Sequence, residues 1–260
     1  MAAIPEPAQR VIITGASSGI GAALARRYAR QGAVLGLIAR RATALQQLAA
    51  ELPGQCEIYP ADVREARAVA AAARDFLERH GCPDIVIANA GVSIGTATEF
   101  SEDIATFVEV VDINVLGMVR TFQPFVRCMR ERGRGTLVGI ASVAGYRGMP
   151  GAGAYATSKA AVISYLESLR VELRGSGVAV VTVCPGYVAT PMTEQNPFPM
   201  PFLMGADEAA RKIVSIIARG KTIAVIPWQM ALVARLLHVM PNWLYDWLFS
   251  RAPRKPRRTG

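Results

Sequence analysis

The sequence predicts an α/β chain built on a doubly wound parallel sheet of about seven strands, with helices on both faces and a C-terminal helical extension. Three features predict it. Short β-branched runs alternate with long Ala-, Leu- and Arg-rich stretches. The runs are apolar almost without a break, as in strands buried on both faces, where an exposed antiparallel sheet would alternate. Finally, 260 residues with 52% hydrophobic and 19% charged content can bury one large core without disulfide or metal staples.

The first strand is VIIT at 11–14, and a helix at 19–31 follows a glycine-rich turn. AVLGLIA (33–39) leads into a helix at 41–52, and CEIYP (56–60) into one at 64–80. DIVIA (84–88) precedes the helical stretch 101–131, and GTLVGIAS (135–142) precedes 154–175. VAVVTVC (178–184), a helix at 206–219 and TIAVIP (222–227) complete the pattern. Each helix can carry the chain back to a strand parallel to the last, and such crossovers are right-handed. Residues 1–226 read as one domain, and 227–260 as an apolar helical extension with a basic tail.

The chain carries +9, with Arg251, Arg254, Lys255, Arg257 and Arg258 all in its last ten residues. The remaining +4 on residues 1–250 is too little for a nucleic-acid surface. Cys56, Cys82, Cys128 and Cys184 are far apart, with no C-x-x-C pair and no histidine at ligand spacing. Neither a disulfide framework nor a metal site is expected, and a reducing compartment fits. The start, MAAIPEPAQR, lacks the basic and apolar regions of a signal peptide. No 18-residue window is apolar enough for a membrane span, so the chain reads as cytoplasmic.

In a doubly wound sheet the ligand lies beyond the carboxyl ends of the strands, at the topological switch point. After the first strand comes TGASSGIG, 14–21, in which Gly15, Gly19 and Gly21 are spaced G-x3-G-x-G around Ser17, Ser18 and Ile20. Glycines allow a tight turn, and the following helix offers free N–H groups and a positive dipole end to a pyrophosphate. A site built for NAD places an acid at the end of the second strand, where it accepts from the ribose 2′-hydroxyl. Here Ala39 is followed by Arg40 and Arg41. A guanidinium grips the 2′-phosphate that a carboxylate would repel, so NADP(H) is the expected cofactor, with Ser17 as an added hydroxyl.

Asp62-Val63, after the third strand, can meet an adenine edge, with Asp62 also placed to cap the next helix. Asn89-Ala90-Gly91, after the fourth, offers a small backbone surface to a flat ring. Tyr155 and Lys159 stand at i and i+4, one turn apart on one helix face. A tyrosine of pKa near 10 is a poor base at neutral pH, and an ammonium beside it favours the phenolate. Ser142 closes the fifth strand, placed to hydrogen-bond a substrate carbonyl oxygen.

TGASSGIG, Asn89-Ala90-Gly91, Asn114, Ser142, Tyr155-x-x-x-Lys159 and Pro185-Gly186 together resemble the short-chain dehydrogenase/reductase family in order and spacing, over roughly residues 9–226. The resemblance implies a Rossmann-like fold and a nicotinamide cofactor. It makes Tyr155 the general acid/base, Ser142 the polariser of the carbonyl, and Lys159 the ligand of the nicotinamide ribose that lowers the tyrosine pKa. Asn114 would hold a water linking Lys159 to solvent. In the Val188-Ala-Thr190 segment after Pro185-Gly186, Thr190 would bond the nicotinamide carboxamide. Ala88 departs from a family that often has asparagine there, a position concerned with sheet stability. The family usually forms dimers or tetramers, here through helices 101–131 and 154–175.

The expected activity is NADP(H)-dependent interconversion of a carbonyl and a secondary alcohol. Pro, Met and Phe crowd 191–205, PMTEQNPFPMPFLMG, where a lid would cover the site, and this favours an apolar substrate. Two rivals are a 3-oxoacyl-carrier-protein reductase and an NADP(H)-binding regulatory or scaffold protein. Within 232–249, Arg235, His238, Asn242 and Asp246 form one polar stripe on an otherwise apolar helix that Pro241 divides. With Trp243, Tyr245, Trp247 and the basic tail, this pattern suits contact with anionic lipid. Its alternative is a cap on the pocket or a subunit interface.

Overall fold

The computed structural model describes residues 8–194 and 196–258. The start of the chain, on which the signal-peptide expectation rests, and Gln195 of the 191–205 loop lie outside them. Seven strands form one parallel sheet: β1 (Arg10–Thr14), β2 (Val34–Ala39), β3 (Cys56–Pro60), β4 (Ile85–Ala88), β5 (Gly135–Ile140), β6 (Val178–Pro185) and, after two short strands, β9 (Ile223–Ile226). Their order is β3-β2-β1-β4-β5-β6-β9. The order reverses between β1 and β4, which leaves a crevice at their carboxyl ends. The short strands β7 (Val188–Ala189) and β8 (Met204–Gly205) pair in parallel and hold the base of the 191–205 loop.

Helices cover both faces. On one side α1 (Gly19–Arg30), α2 (Ala42–Glu51) and α7 (Ala206–Ala218) pack on Val11, Ile13, Leu35 and Leu37. On the other, α3 (Ala66–His80), α5 (Gly117–Arg132) and α6 (Gly153–Glu172) bury Ile12, Val86, Leu137 and Val180 with Phe76, Phe122, Phe125 and Leu166. The alternation of Val11, Ile12 and Ile13 between these two cores is the pleat of β1, and it explains why the run is apolar throughout.

The expected helix at 101–131 is three pieces: α4 (Asp103–Val111), a π-helical turn (Asp112–Leu116) and α5. Asn114 sits in the π turn, a kind of irregularity that tends to occur at functional sites. The third crossover helix begins at Ala66, not Arg64, so Asp62 does not cap it. Instead Asp62 accepts from the Arg64 N–H at 2.9 Å within a tight turn.

The cysteine expectation is also corrected. Cys82 and Cys128 are joined as a disulfide across 46 residues, because α5 runs past the start of β4 and brings their Cα atoms to 5.9 Å.

The extension divides as Pro241 requires, into α8 (Trp228–Val239) and α9 (Asn242–Phe249). Its polar stripe does not stand clear of the protein. His238 Nδ1 lies 3.2 Å from the Tyr146 carbonyl, and Asn242 accepts from Arg147 at 2.8 Å. Arg147 also donates to the Leu237 and Met240 carbonyls and lies over the Tyr245 ring. The aromatic pair Trp243 and Trp247 instead faces outward, 72% and 73% exposed, with Leu232 and Leu236. Among the described residues no helix is long and apolar enough to cross a membrane. The basic tail is not free either: Arg257 and Arg258 pair with Glu102, Asp103 and Glu109, carboxylates on and just before α4.

Candidate active site

One cleft of about 300 Å³ opens at the switch point. Every sequence-predicted site residue lines it except Gly21 and Asn114, which support it from behind. At the floor, Gly15 adopts φ 66°, and a Cβ there would stand 2.8 Å from the Ala90 Cα. Gly19, at φ 54°, would meet Thr190 Cγ2 at 2.9 Å, so this turn touches the loop carrying Thr190. Gly21 packs against the Gly15 carbonyl. The first turn of α1 holds no acid, which leaves its N–H groups and dipole open to an anion.

Beyond the end of β2, Arg41 Nη2 donates to the Ser17 hydroxyl oxygen at 3.1 Å. Arg40 extends toward Asp62, 3.9 Å from its carboxylate. Burial pushes the Asp62 carboxyl up, but the Arg64 hydrogen bonds and the Arg40 charge outweigh it and hold the pKa below the ordinary value. Asp62 is thus an ionised acceptor in the wall of the cleft, beside Val63. Asn89 also ties two strands together, its Nδ2 donating to the Thr14 and Gly15 carbonyls at 3.0 and 3.3 Å. Thr14 Oγ1 accepts in return from the Asn89 and Ala90 N–H groups. These bonds clamp β4 to β1 and leave Ala90 and Gly91 as the bare surface.

At the other end, α6 brings Tyr155 and Lys159 opposite Ser142. The Ser142 oxygen accepts from the Ala144 N–H at 3.1 Å, and its hydroxyl reaches the Pro185 carbonyl only at 3.5 Å. A bond that long is readily exchanged for a shorter one to a substrate oxygen. Lys159 Nζ donates to the Ile140 carbonyl at 2.9 Å and lies 5.7 Å from the Tyr155 ring centre. Burial lowers its pKa to about 8. The expected lowering of the Tyr155 pKa by Lys159 is not seen in this arrangement. Burial raises the phenol above its ordinary value, and the nearby Ser142 hydroxyl opposes this only in part.

Asn114 spends its whole side chain on positioning. Oδ1 accepts from the Val92 N–H at 2.8 Å, and Nδ2 donates to the Val92 carbonyl and Ser158 Oγ at 3.0 and 2.9 Å. A relay through Asn114 would therefore use its main chain. Pro185, Gly186, Val188 and Thr190 form the remaining wall. Sequence reasoning missed Ser158 and also Thr193, whose hydroxyl donates to the Val188 carbonyl and accepts from the Thr190 N–H. Ser158, one residue before Lys159 on the same helix, was the available signal.

A glycine cradle, an acid-free helix start and a Ser–Tyr–Lys group at the far end of one cleft fit a dinucleotide with its reactive ring toward Tyr155. A family model described as short chain dehydrogenase matches residues 9–198. The chain belongs to the short-chain dehydrogenase family. Family members use a nicotinamide cofactor, and this dehydrogenase is an oxidoreductase of the CH–OH/C=O class. It is 40% identical over 238 residues to an uncharacterized oxidoreductase of Myxococcus xanthus, covering 90% of this chain and 94% of that one. It is 37% identical over 186 residues to a 2-dehydro-3-deoxy-L-rhamnonate dehydrogenase (NAD(+)) of Sphingomonas, covering 72% and 74%. Among solved structures, an alcohol dehydrogenase of Thermococcus sibiricus complexed with 5-hydroxy-NADP has a TM-score of 0.74 and 28% identity, covering 85% and 96%.

Proposed function

We propose that this dehydrogenase is an NADP(H)-dependent carbonyl reductase, or secondary-alcohol dehydrogenase, acting on a substrate with an apolar body. The observation that carries the cofactor choice is Arg41 on the Ser17 hydroxyl, with Arg40 beside it, where an NAD site would hold an acid. The relatives' names include both NAD(+) and a 5-hydroxy-NADP, so the choice of NADP(H) rests on the chain's own arginines.

Ser17, Arg40 and Arg41 would hold the 2′-phosphate, Asp62 and Val63 the adenine, and Gly15 to Gly21 the pyrophosphate. Ala90, Gly91, Pro185, Gly186, Val188 and Thr190 would hold the nicotinamide end. When bound, NADP(H) supplies or accepts the hydride. Ser142 donates a hydrogen bond to the substrate carbonyl oxygen and polarises it. Tyr155, protonated at neutral pH because burial raises its pKa, donates the proton that turns this oxygen into a hydroxyl. Lys159 orients the ribose and, through the Asn114 main chain, exchanges protons with solvent. Met192, Phe202 and Leu203 in the 191–205 loop are exposed, which supports an apolar substrate body beneath that loop.

Exposed Ile104, Val108, Leu116 and Val171 support a homodimer or homotetramer built on α4 to α6. The outer face of α8 and α9 supports a membrane-surface contact. The deciding experiment follows NADPH and NADH oxidation with a panel of aliphatic and aryl ketones and a 3-oxoacyl carrier substrate. Ketone-dependent oxidation of NADPH in preference to NADH supports the reading. Turnover confined to the carrier substrate, or no turnover at all, goes against it.

A further inference from the structure

After α9 the chain turns back past Gly95 and Gly151 toward Tyr155, and these two glycines make room for it. A Cβ at Gly95 would stand 2.5 Å from the Pro256 carbonyl oxygen, and one at Gly151 would stand 2.7 Å from Arg254 Cβ. The Gly95 N–H donates to that Pro256 oxygen at 3.0 Å. Arg257 fastens the end of the strap: Nε lies 2.7 Å from Asp103 Oδ2, Nη2 lies 3.0 Å from Glu102 Oε1, and the guanidinium covers the Phe100 ring. Arg258 reaches Glu109 at 2.7 Å.

Held by these anchors, Lys255 points inward. Its Nζ donates to Ser93 Oγ at 2.7 Å and lies 5.9 Å from the Tyr155 ring centre. The arginines just beyond it in the tail have carboxylate partners, whereas among the described residues none lies within ion-pair distance of Lys255. An ammonium has three N–H donors, so two remain after Ser93. Partial burial of a charge with no carboxylate partner is costly, and a bound anion would offset that cost. Burial lowers the Lys255 pKa to about 8, which leaves it charged at neutral pH.

We propose that the C-terminal strap supplies Lys255 as the anion-binding residue of the substrate site, so that the carbonyl substrate carries a carboxylate or phosphate on its otherwise apolar body. The 5.9 Å from Nζ to the Tyr155 ring centre puts this group beside the residue proposed to donate the proton. The proposal rests on the reductase reading and narrows its substrate class.

The test is calorimetric titration of the full-length protein, saturated with NADPH to occupy Arg40 and Arg41, with octanoate, octyl phosphate and 1-octanol. At least one anion is expected to bind about tenfold or more tighter than octanol, the range of a charge-assisted hydrogen bond. Which anion binds tighter separates the carboxylate from the phosphate source. Lys255→Met should abolish the preference, Lys255→Arg should restore most of it, and Arg257→Ala should weaken it by releasing the strap. Circular dichroism checks that each variant is folded. Equal binding of octanol and both anions, or a preference that survives in Lys255→Met, overturns the proposal. Because the readout is binding without turnover, a Lys255-dependent anion preference in a protein that reduces no carbonyl would remove the reductase reading alone. Reduction of neutral ketones without any anion preference would remove this proposal alone.

Discussion

Arg41 reaches back over the glycine turn to Ser17, its Nη2 3.1 Å from the hydroxyl oxygen, so a guanidinium and a hydroxyl face the same space beyond β2. That space would hold the 2′-phosphate. Arg41→Ala should weaken NADPH binding by about 10- to 100-fold, the worth of one charged hydrogen bond, and should leave NADH binding unchanged. Arg40→Ala should do less, since Arg40 stands 3.9 Å from Asp62 and Arg41 remains. Fluorescence titration with both cofactors checks this. Equal losses for NADPH and NADH would show the arginines to be merely structural.

The pH dependence follows from two buried groups. Burial raises the Tyr155 phenol and lowers Lys159 to about 8, so below pH 8 the phenol keeps its proton and the lysine its charge. Carbonyl reduction should stay level through neutrality and decline as pH rises past about 8, where Lys159 loses its charge while the phenol still holds its proton. Alcohol oxidation, which needs the phenolate, should still be rising at pH 10, because burial holds the phenol pKa above its ordinary value. Initial rates in both directions from pH 6 to 10 test the sign. A reduction rate that climbs above pH 8 would contradict it.

Asn114→Ala removes the partner of the Val92 N–H and carbonyl and of the Ser158 hydroxyl. Leaving such groups unpaired in the interior costs about 1–3 kcal/mol. The expected result is a lowered Tm, with NADPH affinity reduced less than turnover because α6 and the Val92 segment lose their registration. An unchanged Tm would show that water replaces the amide without cost.

Most of the sheet was legible because parallel strands buried on both sides are apolar at every position, and each ended near its expected residue. The cleft was legible for a related reason: chemistry at strand ends concentrates glycines, Asn89, Ser142 and Tyr155 in short local motifs. What was not legible depends on distant contacts. The break of 101–131 into a π turn at Asn114 reflects bonds to Val92 and Ser158, 22 and 44 residues away. The Cys82–Cys128 bond depends on how α5 passes β4. The tail read as a basic segment suited to anionic lipid because nothing local links Arg257 to Asp103, 154 residues earlier.

The outer face of α8 and α9 carries Trp228, Leu232, Leu236, Trp243 and Trp247, all more than 60% exposed. Since Arg257 and Arg258 are spent on α4, association with anionic vesicles should depend more on this apolar face than on charge, and only modestly on salt. Co-sedimentation should fall several-fold in a Trp243→Ser, Trp247→Ser double variant. If full-length protein stays in the supernatant at low salt, the face has another partner.

Tyr155→Phe keeps the ring and the Lys159 environment but removes the proton that the carbonyl oxygen must receive. General acid–base groups are worth about 10²–10⁴ in rate. The direct measurement is single-turnover reduction of a ketone substrate by the NADPH-saturated wild type and variant, with NADPH affinity measured on both. The account predicts unchanged NADPH affinity and a rate at least about a hundredfold lower. A variant that turns over at the wild-type rate would contradict it.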